Sequence, residues 1–574
     1  IFQLHNNHIK IPEKYEKLII KGKEDSKISI LLKNGRILDG TGNPWFKSDL
    51  LVEGNKISRI EPSIEPAGVD DVIDVSGLIV APGFIDIHSH SDITIFLEPT
   101  AKSKISQGVT TDCVGNCGFS ASPFPKDPER REELLKKMIW ISEMQDLDIR
   151  FHTIEEYMQE LNKTKIGINI VSLTGHGILR AISMGVENRE PTSDELETMK
   201  NYLEQELKLG SFGLSTGLDY PPGSFAKTEE IIELCKVVAK YNGIYATHFR
   251  YVSGSLSSAT REAIKIGEAS GVPVQISHFK AFGKLFWGTL GDAYRIAMRA
   301  RKKGVEVTSD TYPHLVNSTR LFMTMPFHLY LRDGALDPEG FHEKIKRIRE
   351  DPKLEAQVKR EIDQIASDVW GVDVKSGDLS EWRKIIVSTK GDPIYNGKSL
   401  EQIAKEQKKD PRDVLIDIFI KHGIKPGGTF LSLREEDNQV TLTHEISMIS
   451  SDGGVVPNRD TYVNPYYYAA FTQTLAKYVR EKNWLTLPDA IRRMTSFPAQ
   501  KLGLTKRGLL RVGNYADITI FDPEKVQDLS TNENPHQYSV GIEYVLVNGQ
   551  FAIKEGKFTG IRAGRGILKN RQEI

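Results

Sequence analysis

The chain has 574 residues, with 76 basic and 77 acidic side chains and a formal net charge of -1, a balance that gives no global attraction for nucleic acid or an anionic membrane. A hydrophobic share of 39% and a charged share of 27% describe an ordinary soluble globular protein, and the length points to more than one domain because single cores stop growing at roughly 250–300 residues. Three cysteines are too few, and too odd a number, for a disulfide-stapled scaffold, and no apolar run reaches the roughly 18 residues a membrane-spanning helix needs.

Residues 1–27 are polar and Lys-rich and read as an N-terminal extension. The chain opens at Ile1 rather than Met, so an upstream segment is missing or was removed; a cytoplasmic location is favoured, with secretion or a periplasmic location left open. From Ile28 to Val80 short β-type runs alternate with turn residues: Ile28–Leu32, Asn34-Gly35, Arg36–Leu38, Asp49–Val52, Gly54-Asn55 and Lys56–Ile60. The same grammar returns near the C-terminus in Ala516–Pro523, Tyr544–Gly549 and Phe551–Ile553. This predicts a discontinuous small β-sandwich built from both chain ends, residues 28–83 and 500–574.

Between them, residues 84–499 alternate short apolar segments with amphipathic helical ones. Predicted strands Ile166–Leu173, Phe212–Ser215, Ile244–His248, Val274–His278 and Glu306–Asp310 are separated by predicted helices near Ser193–Leu209, Thr228–Tyr241, Leu256–Ala269 and Leu290–Lys303. Strand–helix alternation of this length predicts an α/β fold, a closed (β/α)8 TIM-like barrel whose reactive groups sit at the C-terminal ends of the strands. Residues 327–437 break the pattern with long charged helical stretches, Glu339–Arg349, Lys353–Ala366 and Leu400–Ile416, and read as an insertion that is either a lid over the site or an oligomer contact.

Each chemically interesting residue falls at a predicted strand end. Pro82-Gly83-Phe84-Ile85-Asp86-Ile87-His88-Ser89-His90 ends an apolar run with His88 and His90 two apart, so both project from one face as half a metal site. Cys117 lies among small turn residues in Gly115-Asn116-Cys117-Gly118, where a thiolate can ligate zinc and a thiol can equally be a small buried hydrophobe. His248 and His278 close two successive strands and point two imidazoles toward a common centre. Asp452 in Ser451-Asp452-Gly453 finishes a late strand; the tripeptide alone is a turn, but beside four strand-end histidines it becomes a candidate acid/base residue next to a metal-bound water.

With these segments the chain resembles the amidohydrolase superfamily, and within it the N-acyl-D-amino-acid deacylase (D-aminoacylase) family. The resemblance runs from about Ile28 to Arg565 and rests on Ala81–Asp92, Gly108–Thr111, Gly115-Asn116-Cys117-Gly118-Phe119-Ser120, Gly175-His176-Gly177, Gly217-Leu218-Asp219-Tyr220-Pro221-Pro222, Thr247–Arg250, Ser277–Lys280, Ser451–Gly453 and Asn514–Asp517. It implies a metallo-hydrolase with a tight zinc on Cys117, His248 and His278 and a second, weaker metal position at His88 and His90 sharing Cys117, with Asp452 as general base and then acid. It implies hydrolysis of N-acyl-D-amino acids, or of dipeptides containing a D-residue, to a carboxylate and a free amino acid.

Tyr220, Lys280, Tyr312 and Ser318 match substrate-pocket positions of that family, each also open to a plain structural role, and His176 between two glycines reads as a group that orients a neighbour. Two segments depart from the pattern: Val455–Pro465 replaces the usual arginine clamp, with Arg459 as its candidate substitute, and Phe249-Arg250-Tyr251-Val252 stands where an acidic pair is common. Alternative readings are a cyclic-amide hydrolase of the hydantoinase or dihydropyrimidinase type, disfavoured by Cys117 in place of a carboxylated lysine, or an L-specific N-acyl amino acid or dipeptide hydrolase. The expected partner is a small-molecule substrate, with no nucleic acid and no membrane span; a homo-oligomer is left open.

Overall fold

The computed structural model describes residues 28–137, 151–251, 255–332, 335–457 and 460–571. The extension at residues 1–27 and the candidate Arg459 lie outside the described residues.

Eight parallel strands form the central barrel: Phe84–Asp86, Val109–Val114, Asn169–Ser172 continuing into Thr174–Gly175, Gly213–Gly217, Ile244–His248, Val274–Ile276, Val307–Thr311 and Ser447–Ile449. Between the last strand and the first, the chain closes the ring through a parallel bridge of Ser89 with Gly453, reinforced by the backbone N–H of Asp452 donating to His88 O at 2.9 Å. The strands are buried along their length, as expected of a parallel sheet covered by helices.

The crossover helices follow local rules. Thr192 and Glu195 form a capping box at the start of helix Ser193–Leu209, and Gly210 closes it in the left-handed region. Ser255 caps helix Leu256–Ser270 by accepting from the N–H of Ser258. The expected stretch Leu400–Ile416 is instead two helices, Leu400–Gln407 and Pro411–His422. Pro411 has no N–H to continue the first helix, and Asp410 caps the second, so the break is chemical.

Both chain ends meet in one nine-stranded sheet, where Ile79–Pro82 pairs antiparallel with Ile518–Phe521. The sheet folds over itself: Ala516 N–H donates to Asn55 O, the turn at Gly549 abuts Gly54, and Leu32, Val52, Ile518 and Leu546 share one apolar cluster. Residues expected as two short runs around Asn34-Gly35 are one strand, Ser29–Ile37, carrying a bulge, with Asn34 at φ 62°.

Between the seventh and eighth barrel strands the chain leaves the barrel. This excursion holds a three-stranded antiparallel sheet, Asn317–Arg320, Gly427–Phe430 and Ile385–Ser388, and its own apolar core around Phe341, Ile362, Trp370, Phe419 and Phe430. Phe282, just past the sixth barrel strand, packs against both this core and that of the barrel. Among the described residues, no helix is long and apolar enough to cross a membrane.

Candidate metal centre

The C-terminal rim of the barrel brings together every residue expected as a metal ligand. Cys117 Sγ lies 3.4 Å from His88 Nε2, 3.8 Å from His248 Nδ1 and 3.6 Å from His278 Nε2. His248 Nδ1 and His278 Nε2 are 2.8 Å apart. Asp452 Oδ1 sits 3.3 Å from Nε2 of both His88 and His90, forming a second donor group with them.

The strands explain the convergence. In the parallel register Gly217 is level with His248 and Ile276 with Thr247, so His278 stands just beyond the end of its strand and beside His248. Cys117 is carried by a tight loop after Val109–Val114. Gly115 there has φ +77°, and a Cβ on it would meet Leu173 O at 2.1 Å, so only glycine allows the turn. Three non-glycine residues at the rim also hold positive φ: Cys117 at 52°, His278 at 33° and Asp452 at 53°. Such backbone costs on the order of 1–3 kcal/mol per residue and persists where the surroundings over-determine it.

The electrostatics suit a cation. Burial works against ionising the Cys117 thiol, but His88, His248 and His278 overcome it and hold the thiol well below its ordinary value. Burial, aided by the Lys280 charge, pulls His278 down to about 4, so it presents a neutral imidazole. Burial pushes the Asp452 carboxyl up, yet His278, His88, His90 and Lys280 together keep it well below the usual carboxylate range. A tetrahedral zinc with bonds of about 2.0–2.3 Å separates its ligands by roughly 3.3–3.6 Å, close to the sulfur–nitrogen spacings above. Burial works against charging His88, His90 and His248, but Cys117 and the neighbouring carboxylates outweigh it and raise all three, so the cluster favours positive charge in its midst, and thiolate, imidazole and carboxylate donors on these spacings fit such an ion.

The surrounding layer adds residues that sequence reasoning passed over. Asp310 accepts the backbone N–H of His278 at 2.8 Å and the side chain of Gln275 at 2.8 Å, and lies 3.2 Å from His88 Nδ1. Asp219 Oδ2 lies 3.7 Å from His248 Nε2. Lys104, fully buried, donates to Asp86 at 2.7 Å, Ser451 Oγ at 2.8 Å and Gly453 O at 2.9 Å, clasping the residues on either side of Asp452.

The other expected positions fall as follows. Lys280 Nζ donates to Tyr312 OH at 2.7 Å and lies 3.7 Å from Asp452 Oδ2, with burial lowering its pKa against the pull of Asp452 and Cys117. The Tyr220 ring lies 4.5 Å from that of His248, tilted 48° to it. Ser318 lies in the first strand of the excursion, where its hydroxyl reaches Gly428 O at 3.5 Å. His176 follows directly on the end of the third barrel strand and pairs with Glu230 at 2.8 Å, a carboxylate that also pairs with Arg180.

A parallel eight-stranded barrel that collects histidines, a thiol and an aspartate at its C-terminal rim defines a metal-dependent hydrolase of the TIM-barrel class. The chain belongs to the Amidohydrolase family, whose profile matches residues 71–284 and 442–553. It is 32% identical over 542 residues to the D-aminoacylase of Alcaligenes xylosoxydans xylosoxydans, spanning 94% of this chain and 97% of that one. The N-acyl-D-glutamate deacylase of the same organism is 31% identical over 91% of this chain and 93% of its own. Among solved structures, the N-acyl-D-glutamate deacylase of Bordetella bronchiseptica, complexed with zinc and a phosphonate inhibitor that mimics the tetrahedral intermediate, gives a TM-score of 0.74 at 29% identity, covering 94% of this chain and 100% of that chain.

Proposed function

We propose that the protein hydrolyses N-acyl-D-amino acids, or dipeptides containing a D-residue, to a carboxylate and a free amino acid, using zinc at the rim of the barrel. The observation that carries this reading is the meeting of the Cys117 thiol with His88, His248 and His278 beside the ionised Asp452. Cys117, His248 and His278 would hold the tight ion, and His88 and His90 a second, weaker one that shares Cys117. Bound there, zinc supplies a Lewis acid for the amide carbonyl and acidifies water.

The remaining chemistry belongs to the chain. Asp452 accepts the proton of the attacking water and passes it to the amine nitrogen as the carbon–nitrogen bond breaks. Lys280 and Tyr312, already hydrogen-bonded together beside Asp452, receive the substrate carboxylate, with Tyr220 and Ser318 completing the pocket. The excursion between the last two strands serves as the lid, since Phe282 ties its core to the rim.

The test is a panel of N-acyl amino acids in both enantiomers, with dipeptides and hydantoins added, assayed on the purified protein before and after chelation and on readdition of zinc. Release of amino acid from D-substrates alone, lost with the metal and restored with it, is the expected result. Ring opening without linear amide cleavage, or turnover that survives full metal removal, would reject the reading.

A further inference from the structure

Tyr251 lies three residues beyond His248, at the rim of the barrel. Its backbone N–H and the residue before it are both held. The N–H of Tyr251 donates to Asp219 Oδ1 at 2.9 Å, the same carboxylate that faces His248, and the preceding Arg250 donates to Ser224 O at 2.7 Å and Ala226 O at 2.8 Å. The ring is wedged edge-on among His248, Phe249, Phe282 and Phe286, with centroids 4.6–6.0 Å apart. Neither main chain nor ring has room to swing.

The residue is only 4% exposed, yet among the described residues its hydroxyl has no hydrogen-bond partner. Leaving a buried hydroxyl unpaired costs stability, and natural cores avoid it. The charges acting on that oxygen are those of Asp219, Cys117, Asp452 and Asp310, and it in turn acts on the hydroxyls of Tyr220 and Tyr312. Tyr251 packs edge-on against His248, whose ring also meets that of Tyr220, so the unpaired group belongs to a residue that touches a metal-ligand candidate on the Tyr220 side of the centre.

We infer that the Tyr251 hydroxyl is a substrate-binding donor, whose missing acceptor is an oxygen of the bound acyl amino acid, either the scissile carbonyl or the carboxylate. The assignment deepens the deacylase reading and rests on it. An orphaned donor held rigidly in place, with no role in holding the fold, is what preorganised recognition of an oxygen requires.

The experiment compares the zinc-loaded wild type with Tyr251→Phe, which removes the oxygen and keeps the ring. On the N-acyl-D-amino acid turned over best, kcat/KM should fall about tenfold to a hundredfold. Zinc content should stay the same and Tm should hold or rise, because the oxygen has no partner to lose among the described residues. A fall in kcat assigns the contact to the scissile carbonyl, and a rise in KM alone assigns it to the carboxylate. An unchanged kcat/KM, or a loss matched by lost zinc or a lower Tm, would overturn the assignment while leaving the deacylase reading standing. A wild type inactive on every N-acyl-D-amino acid would overturn both.

Discussion

Asp310 Oδ1 lies 3.2 Å from Nδ1 of His88, a buried carboxylate behind a buried imidazole. The pairing turns the opposite ring nitrogen toward Cys117, since Nε2 is the atom 3.4 Å from the thiol sulfur. The same carboxylate accepts the N–H of His278 at 2.8 Å and the hydroxyl of Ser450 at 3.0 Å, so one side chain aligns groups from three barrel strands. Replacing Asp310 by Ala should weaken zinc binding or turnover by about 10–100-fold, the range typical when a ligand's outer partner is removed. Competitive chelation read by metal analysis measures the first and an amidase assay the second; full retention of both would remove the orienting role.

Lys104 gives a prediction about stability. Its side chain is wholly buried, within 2.7 Å of Asp86 and 3.5 Å of Asp112, which are themselves buried. Its three donors also reach Ser451 and Gly453, so it bolts the first strand to the last where the barrel closes. Lys104→Met keeps most of the stem but strands two carboxylates without a cation. Breaking a buried pair in this way costs about 3–5 kcal/mol, to be read as a lower midpoint in urea. A Met variant as stable as the wild type would show that water or a proton already compensates the pair.

What could be read from the sequence depended on whether a residue's neighbours along the chain resembled its neighbours in space. The barrel was legible because short strands alternate with amphipathic helices, as with Ile244–His248 and the Ser255-capped helix after it. His88, His90, Cys117, His248, His278 and Asp452 stood out because each ends such a run, and the rim brings all of them together. Asp310 was passed over although it adjoins Thr311 and Tyr312, because a strand-end aspartate beside a tyrosine carries no spacing signal of its own. Lys104 was invisible for a deeper reason: a lysine reads as surface, and one of its partners, Ser451, is 347 residues away. His176 was read as a group that orients a neighbour; its partner Glu230 lies on a helix that the flanking glycines do not announce. The break at Pro411 was available from the sequence, since a proline preceded by an aspartate starts a helix more often than it continues one.

Glu206 predicts a pH dependence. It is nearly enclosed, accepting from Ser122 Oγ at 2.7 Å and from the N–H of Ile154 at 3.0 Å, and burial raises its carboxyl to about 7 from the ordinary 4.5. A carboxyl raised on folding favours the folded state while protonated, so its contribution is complete below about pH 4.5 and disappears as the pH passes about 7. The difference is worth roughly 3 kcal/mol, at about 1.4 kcal/mol per unit. Glu206→Gln keeps an acceptor for both donors and abolishes the titration. Melting curves at pH 5 and pH 8 should show the variant gaining on the wild type only at the higher pH; an equal gain at both would mean the group does not titrate in this range.

The decisive substitution is Asp452→Asn, because two roles for Asp452 predict different losses. As the proton carrier, Asp452 needs a basic oxygen, and its Oδ2, 3.7 Å from Lys280, is the one turned toward the pocket. As a metal ligand it would act through Oδ1, 3.3 Å from both His88 and His90. Asparagine retains an oxygen that can face the histidines but cannot take up a proton. If proton transfer is the main role, turnover should fall by about 10²–10⁴-fold with bound zinc unchanged. If ligation is the main role, zinc should be lost from the weaker position and activity should return as free zinc is raised. Titrating the variant with zinc while following both content and rate separates the two, and an Asn variant of ordinary activity at any zinc level would exclude both.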